Sequence, residues 1–132
     1  YGIIDPALPE IGAFQNDFLQ SKYLELVAWG KQSKADALLV GCFIEEIDIV
    51  DLATRMAGID NPDILNVFQN LMDGSENHLR AFVSNYESLT GTTYSPLFLD
   101  QQTYEQIINS SSDSGGSGGG GSGGKGGRNG GR

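Results

Sequence analysis

The stretch from Leu38 to Ala57 most constrains the fold, because it is long, almost wholly apolar and has the periodicity of a helix. At about 100° per residue its apolar side chains gather on one broad face, with Glu46 near the centre of that face and Glu45 at its margin. The apolar positions are Leu38, Leu39, Cys42, Phe43, Ile49, Val50, Ala53 and Met56. An unpartnered carboxylate in a core costs several kcal/mol or is forced neutral, so the sequence predicts a buried partner for Glu46.

The chain divides into a body, residues 1–109, and a tail, residues 110–132. The tail is nearly all Gly and Ser with no apolar side chain, so it will not join a core. The body is strongly acidic, which argues against nucleic acid or an anionic membrane as the main partner and is compatible with cations. No uncharged apolar run reaches the roughly 18 to 20 residues that span a bilayer, so no membrane span is expected.

Capping signals divide the body into four helices. The predicted helices are 17–29, from Ser33 to about Ala57, from Pro62 to about Leu89, and 101–108, with Asn16, Ser33, Asn61 and Asp100 as capping residues. The connection between the two long helices, from Gly58 to Pro62, is very short. Short connections join antiparallel neighbours, so the two long helices are predicted to form an antiparallel pair.

Glu46 and His78 lie near the middle of the two long helices, where the midpoints of an antiparallel pair meet. We therefore expect them to face each other in one layer of the core, with Glu45 bridging from the margin. A carboxylate and an imidazole on facing bundle helices form a donor set suited to iron, manganese or zinc. The sequence thus predicts a transition-metal site with Glu46, Glu45 and His78 as ligands.

Simpler interpretations stay open beside this one. Glu46 can be a protonated or hydrogen-bonded core acid, since most buried polar groups find protein partners. A single His in a helix is more often structural than a ligand. Cys42, the sole cysteine, is expected to be a small buried filler, and it excludes an intrachain disulfide. The tail is typical of a flexible tether, and its Gly-Gly-Arg steps match RNA-binding segments only weakly.

Three segments carry a resemblance to a known family. They are GCFIEEIDIVDL (Gly41 to Leu52), DNPDILNVFQNLMDGSENHLRAF (Asp60 to Phe82) and TYSPLFLDQQTYEQII (Thr93 to Ile108). The chain from Tyr1 to about Asn109 resembles a bacterial and archaeal ferritin-like family that is catalogued as a domain of unknown function. The resemblance implies a rubrerythrin-type four-helix bundle with a carboxylate-bridged dinuclear metal site, in which two helices each give a Glu and two each give a Glu-x-x-His pair.

Carried onto this sequence, the resemblance gives the single-Glu role to Glu46 or Glu45 and the histidine role to His78. The pattern departs at Ser75, which stands three residues before His78 where the family has Glu. The first two long helices of the family would lie upstream of Tyr1. The expected fold is therefore an all-α, ferritin-like half-bundle, with two long antiparallel helices and short flanking helices, that another chain or a second copy completes.

Two functions follow as hypotheses. The first is a ferritin-like metal-binding protein with a carboxylate and histidine site, di-iron and oxidase-like if the site is dinuclear and open to oxygen, with manganese or zinc as alternatives to iron. Whether it is an enzyme stays undecided. The alternative is a structural subunit of an extracellular filament or other assembly, in which the tail connects neighbouring copies. A secreted or cell-envelope location and a homo-oligomer are expected.

Overall fold

The computed structural model describes residues 2 and 4–110, and within them the chain is all-α. The helices, in chain order, are α1 (Asp17–Gly30), α2 (Lys34–Met56), α3 (Pro62–Thr90) and α4 (Gln101–Asn109). The part of the chain described contains no strand. The predicted tail domain, apart from Ser110, lies outside the described residues.

The helix boundaries follow from capping chemistry. Each predicted N-cap is confirmed, because its side-chain oxygen accepts a hydrogen bond from a backbone N–H of the first turn. These residues are Asn16, Ser33, Asn61 and Asp100. At its other end, α3 stops at Gly91, whose φ of +70° is the left-handed conformation that glycine adopts without strain. The observed helix ends differ from the predicted ones by about one residue.

The two long helices, α2 and α3, run antiparallel, as predicted. Gly41 of α2 packs against the ring of Phe82 in α3. Four residues further along α2, Glu45 contacts His78, which lies four residues back along α3. A Cβ atom on Gly41 would lie only 2.6 Å from the Phe82 ring, so the absence of a side chain there allows the helices to approach closely. This register places the middle of α2 beside the middle of α3.

The hydrophobic core lies on one side of the α2 and α3 pair, under α4 and the connecting segment 92–100. It brings together apolar side chains from all three helices and the segment: Cys42, Ile49, Leu52, Met72, Leu79, Val83, Tyr94, Leu99, Tyr104 and Ile107. The ring of Tyr94 packs against Tyr86 and Tyr104 at centroid distances of 6.2 and 6.0 Å. The segment between α3 and α4 therefore contributes Tyr94 and Leu99 to the core, while Leu97 and Phe98 stay exposed.

The opposite side of the pair is only partly covered. α1 packs on α2, where Trp29 meets the ring of Phe43 edge-on at 5.9 Å and its indole N–H donates to Asp36 at 3.0 Å. Large apolar side chains stay exposed around this contact and along α3: Phe18, Leu19, Leu24, Ile44, Ile47, Val50, Leu65, Val67, Leu71 and Leu89. Among the described residues, no helix is both long and apolar enough to cross a bilayer.

Candidate metal site and the buried carboxylate beside it

Glu46 is completely buried, and a single turn of backbone surrounds its carboxylate. The Tyr94 hydroxyl donates to its Oε1 at 2.6 Å. Three consecutive backbone N–H groups donate to its Oε2: those of Leu97 at 2.9 Å, Phe98 at 2.7 Å and Leu99 at 3.0 Å. The Leu97 N–H also reaches Oε1 at 3.3 Å. The partner that the sequence requires for this acid is thus the segment before α4.

Both oxygens of Glu46 are used within this chain. Hydrogen bonds to an ionised acceptor are the strong ones, and four donors replace the water that the buried carboxylate has lost. This geometry agrees with the hydrogen-bonded interpretation of Glu46 and places its carboxylate against segment 92–100. The expected contact between Glu46 and His78 is not formed, because His78 meets the neighbouring Glu45 instead.

The groups around Glu46 are kept protonated. Burial, together with the charge of Glu46, raises the pKa of the Cys42 thiol to about 12. Burial and the hydrogen bond to Glu46 also raise the pKa of Tyr94. A neutral hydroxyl is what the Glu46 carboxylate needs as a donor, and a neutral thiol behaves as a small apolar side chain. The placement of Cys42 in the core therefore matches its expected role as a filler.

Glu45 and His78 form a second polar contact at the seam between α2 and α3. The Nδ1 atom of His78 lies 3.2 Å from Oε1 of Glu45. The Glu45 side chain is 13% exposed, whereas that of His78 is 67% exposed. Burial raises the pKa of Glu45, and hydrogen bonds to Ser75 and His78 oppose this shift. The carboxylate is thus drawn into the seam, and most of the imidazole ring faces outward.

The spacing of the two donor atoms fits a shared metal ion. Nitrogen and oxygen ligands lie about 2.1 Å from zinc and similar ions, so two ligands of one ion are about 3.0 Å apart in octahedral and about 3.4 Å apart in tetrahedral geometry. The observed separation of 3.2 Å lies between these values. Imidazole and carboxylate are also a donor pair that transition metals accept. In this structure the two side chains contact each other directly, and they are the residues that would hold the metal implied by the resemblance if it were bound here.

Two further carboxylates follow Glu45 along α2. Asp48 is one turn beyond Glu45, and burial together with the charge of Asp51 raises its pKa. Asp51 pairs with Arg55. Within the described ranges, no three His, Cys, Asp or Glu side chains gather around one point that could hold a metal ion. Of the predicted ligands, the described part of the chain brings Glu45 and His78 into contact.

Comparison with known proteins places the chain in a family. Residues 1–111 match the family described as an uncharacterized protein domain, DUF2202. The chain belongs to this family. The uncharacterized protein MJ0754 of Methanocaldococcus jannaschii is 44% identical to it over 119 residues, which make up 87% of this chain and 62% of the relative. This DUF2202 chain thus spans about three fifths of that relative's length.

A solved structure supports the helical architecture of this DUF2202 chain. The crystal structure of hypothetical protein MJ0754 from Methanococcus jannaschii matches it with a TM-score of 0.81 at 43% identity. The match covers 86% of this chain and 65% of that one. Both comparisons are with MJ0754, which is described as uncharacterized or hypothetical, so they add a fold and no activity.

Sequence reasoning missed the donors that hold Glu46. The helical periodicity placed the carboxylate on the inner face of α2. The segment that donates to it has no helical or strand pattern, so the sequence did not show which way the N–H groups of that segment point. The available signal was the run of apolar residues Leu97, Phe98 and Leu99 just before the Asp100 cap. The backbone N–H groups of such a run need acceptors where they pack against the core, even though the side chains of Leu97 and Phe98 stay exposed. The DUF2202 chain satisfies them with one side chain.

Proposed function

We propose that this protein binds a transition metal through Glu45 and His78, as one half of a carboxylate and histidine site in a ferritin-like helical bundle. The observation that carries the proposal is the 3.2 Å contact between Glu45 Oε1 and His78 Nδ1 at the seam of the two long helices. Glu46 was also predicted as a ligand, but its carboxylate accepts the hydrogen bonds from Tyr94 and the segment before α4. The site we propose therefore uses two of the three predicted ligands.

The surroundings of the pair support this assignment. The imidazole ring is 67% exposed, so additional ligands can approach it without displacing core side chains. Glu45 and the nearby Asp48 give this side of α2 a negative charge that attracts cations. Ser75, at the position where the resembling family has Glu, contributes a hydroxyl that hydrogen bonds to Glu45. A hydroxyl in that place orients the ligand rather than adding a charge.

The donor set favours iron, with manganese and zinc as alternatives. One oxygen and one nitrogen donor suit these borderline ions better than calcium or magnesium, which prefer oxygen alone. When bound in a dinuclear site open to dioxygen, iron would supply oxidase or peroxide-handling chemistry. This chain would contribute Glu45 as a carboxylate ligand and His78 as the nitrogen ligand.

Metal binding by the full 132-residue chain tests the proposal. Titration calorimetry with Zn²⁺ or Mn²⁺ should give saturable binding to the wild type. His78→Ala and Glu45→Gln should weaken it by more than about tenfold, since losing even a residue that supports a ligand costs about 10- to 100-fold in metal affinity. Glu105→Gln, on α4 in an exposed position, is the matched control and should bind like the wild type. Equal affinity in all four proteins would remove the proposal.

The second candidate function is structural. The exposed apolar side chains of α1 and α3, such as Phe18 and Leu24, favour a module that packs against another polypeptide. The predicted tail connector and the secreted or cell-envelope location belong to this candidate. Truncation after Ser110 tests it by sedimentation. Loss of higher assembly with unchanged metal binding would support the connector, and unchanged assembly would dismiss it.

A further inference from the structure

A cavity of about 410 Å³ lies where α1, α2 and the segment before α4 meet. Its walls include Phe18 and Leu26 of α1, Phe43 and Ile47 of α2, and Phe98 of the segment. The volume falls in the range of about 300 to 1,000 Å³ that is usual for small-molecule sites. Such sites have mostly apolar walls with a few polar groups, and the walls of this cavity have the same character.

The aromatic wall of the cavity is held in place by contacts with the rest of the fold. The rings of Phe43 and Phe98 meet edge-on, with their centroids 4.8 Å apart. The backbone N–H of Phe98 donates to the buried Glu46 carboxylate at 2.7 Å, which fixes this part of the segment. Phe43 also meets Trp29 edge-on at 5.9 Å. The wall is therefore preorganised, which lowers the entropic cost of binding a ligand.

Two charged side chains, Lys22 and Asp48, complete the lining. The ammonium group of Lys22 is already paired, since its Nζ lies 2.7 Å from a carboxylate oxygen of Glu25. Among the described residues, no ion pair joins Asp48 to a cationic side chain. Asp51, one helical turn further along α2, adds a second negative charge close to Asp48. The charge that the cavity offers to a ligand is therefore that of a carboxylate.

We propose that this cavity binds a hydrophobic organic cation, with its ammonium group at Asp48 and its apolar body between α1 and α2. The carboxylate attracts the positive group, and the faces of aromatic rings stabilise a cation within about 6 Å. Phe18, Phe43 and Phe98 supply three such rings. A neutral apolar ligand would leave Asp48 without a counter-ion, and an anion would be repelled by it. The formal net charge of −9 on the chain adds to the attraction for a cation.

Three ligands of matched length test the proposal on the full chain in EDTA: octyltrimethylammonium, octanoate and 1-octanol, each below any micelle concentration. Trp29 is the sole tryptophan and contacts the wall residue Phe43, so its fluorescence reports binding. We expect saturable binding of octyltrimethylammonium, with an affinity about fivefold or more above that of octanoate. Asp48→Asn should weaken binding of the cation by about three- to fivefold and leave that of 1-octanol unchanged. Asp73→Asn, on α3 in an exposed position, is the matched control and should bind like the wild type.

A second pair of variants tests the apolar wall. Ile47→Gln replaces an apolar wall residue by a polar one of similar length, so it should weaken binding of all three ligands by about threefold or more. Val67→Gln makes a comparable change at an exposed position on α3 and should have no effect.

The outcomes separate this site from the proposed metal site. Neither Glu45 nor His78 lines the cavity, so His78→Ala should bind octyltrimethylammonium like the wild type. Equal affinity for the cation and octanoate, or unchanged affinity in Asp48→Asn, would overturn the cationic ligand. Lack of saturable binding, or unchanged affinity in Ile47→Gln, would overturn the cavity as the site. None of these results depends on whether the chain binds Zn²⁺.

Discussion

Two adjacent residues of α2 have different tasks. Glu46 points to the segment before α4 and accepts hydrogen bonds from Tyr94 and three backbone N–H groups. Glu45, about 100° further around the helix, points to the opposite side of the seam and meets His78. The fold depends on the first carboxylate, and the proposed chemistry depends on the second. Substitutions at the two positions should therefore have separable effects.

Replacing Glu46 should destabilise the fold. Glu46→Ala leaves the Tyr94 hydroxyl and three backbone N–H groups without their acceptor, and each donor left unpaired away from water costs about 1 to 3 kcal/mol. We expect a loss of about 4 kcal/mol or more in the free energy of unfolding, measured by urea denaturation. Glu46→Gln retains one oxygen acceptor without the charge, so about 2 kcal/mol is expected. A loss below about 0.5 kcal/mol in both variants would contradict the role assigned to Glu46.

Tyr94→Phe isolates one bond of that network. The ring and its packing against Tyr86 and Tyr104 are kept, and only the hydroxyl that donates to Glu46 is lost. Hydrogen bonds to charged groups are worth about 1.5 to 3 kcal/mol, so a loss of about 2 kcal/mol is expected. Tyr23→Phe, in a half-buried tyrosine outside this network, is the control and should unfold close to the wild type.

The raised pKa of Glu45 predicts a pH dependence. Because its pKa in the folded chain is above the unfolded value, the stability that the neutral carboxyl contributes is fully present below the unfolded pKa and is lost as pH rises through the folded pKa. Glu45→Gln should remove this part of the pH dependence. Urea denaturation at several pH values between about 4 and 7 measures it. An unchanged slope in the variant would show that Glu45 does not titrate in this way.

At the level of the helices, the close approach of α2 and α3 at Gly41 can be tested with a pair of glycines. Gly41→Ala places a methyl group against the Phe82 ring, and such overpacking costs about 1 to 3 kcal/mol. The higher helix propensity of alanine returns up to about 1 kcal/mol. We expect a net loss of about 1 kcal/mol in the free energy of unfolding.

Gly74→Ala is the matched control in α3, because an added Cβ there meets no atom within 4 Å. Only the gain in helix propensity remains, so this variant should be more stable by about 0.5 to 1 kcal/mol. Thermal and urea unfolding of the two variants should therefore shift in opposite directions. Stabilisation by both substitutions would show that the helices can separate at Gly41 without cost.

The helices themselves were predictable from the sequence, and the contacts of the segment between α3 and α4 were not. Asn16, Ser33, Asn61 and Asp100 mark helix starts through local chemistry that acts within three residues. The burial of Glu46 was also predictable, since it follows from the helical spacing of the apolar residues around it. The partner of Glu46 lies about 50 residues away in an irregular segment, and no local pattern specifies that contact. Whether His78 pairs with Glu45 or Glu46 depends on how far α2 is rotated about its own axis. The capping residues and the spacing of apolar residues determine that rotation only approximately.

For the molecule as a whole, the proposed metal should act on stability. A ligand that binds only the folded chain stabilises it, by about 2.7 kcal/mol when its concentration is 100 times its dissociation constant. We expect Zn²⁺ to raise the melting temperature of the full chain and EDTA to reverse the rise. His78→Ala should melt at the same temperature in both conditions. A similar rise in His78→Ala would place the binding elsewhere on the acidic surface.

The different directions of the adjacent Glu45 and Glu46 side chains on one helix have an evolutionary consequence. A relative can lose the acid at the position of Glu45 and still fold, whereas loss of the acid at Glu46 removes the acceptor for a whole turn of backbone. A domain of this architecture can therefore lose the proposed metal site through one tolerated substitution and keep a structural role. A family member that keeps only the acid at the position of Glu46 should have a similar free energy of unfolding and should not bind metal at this seam.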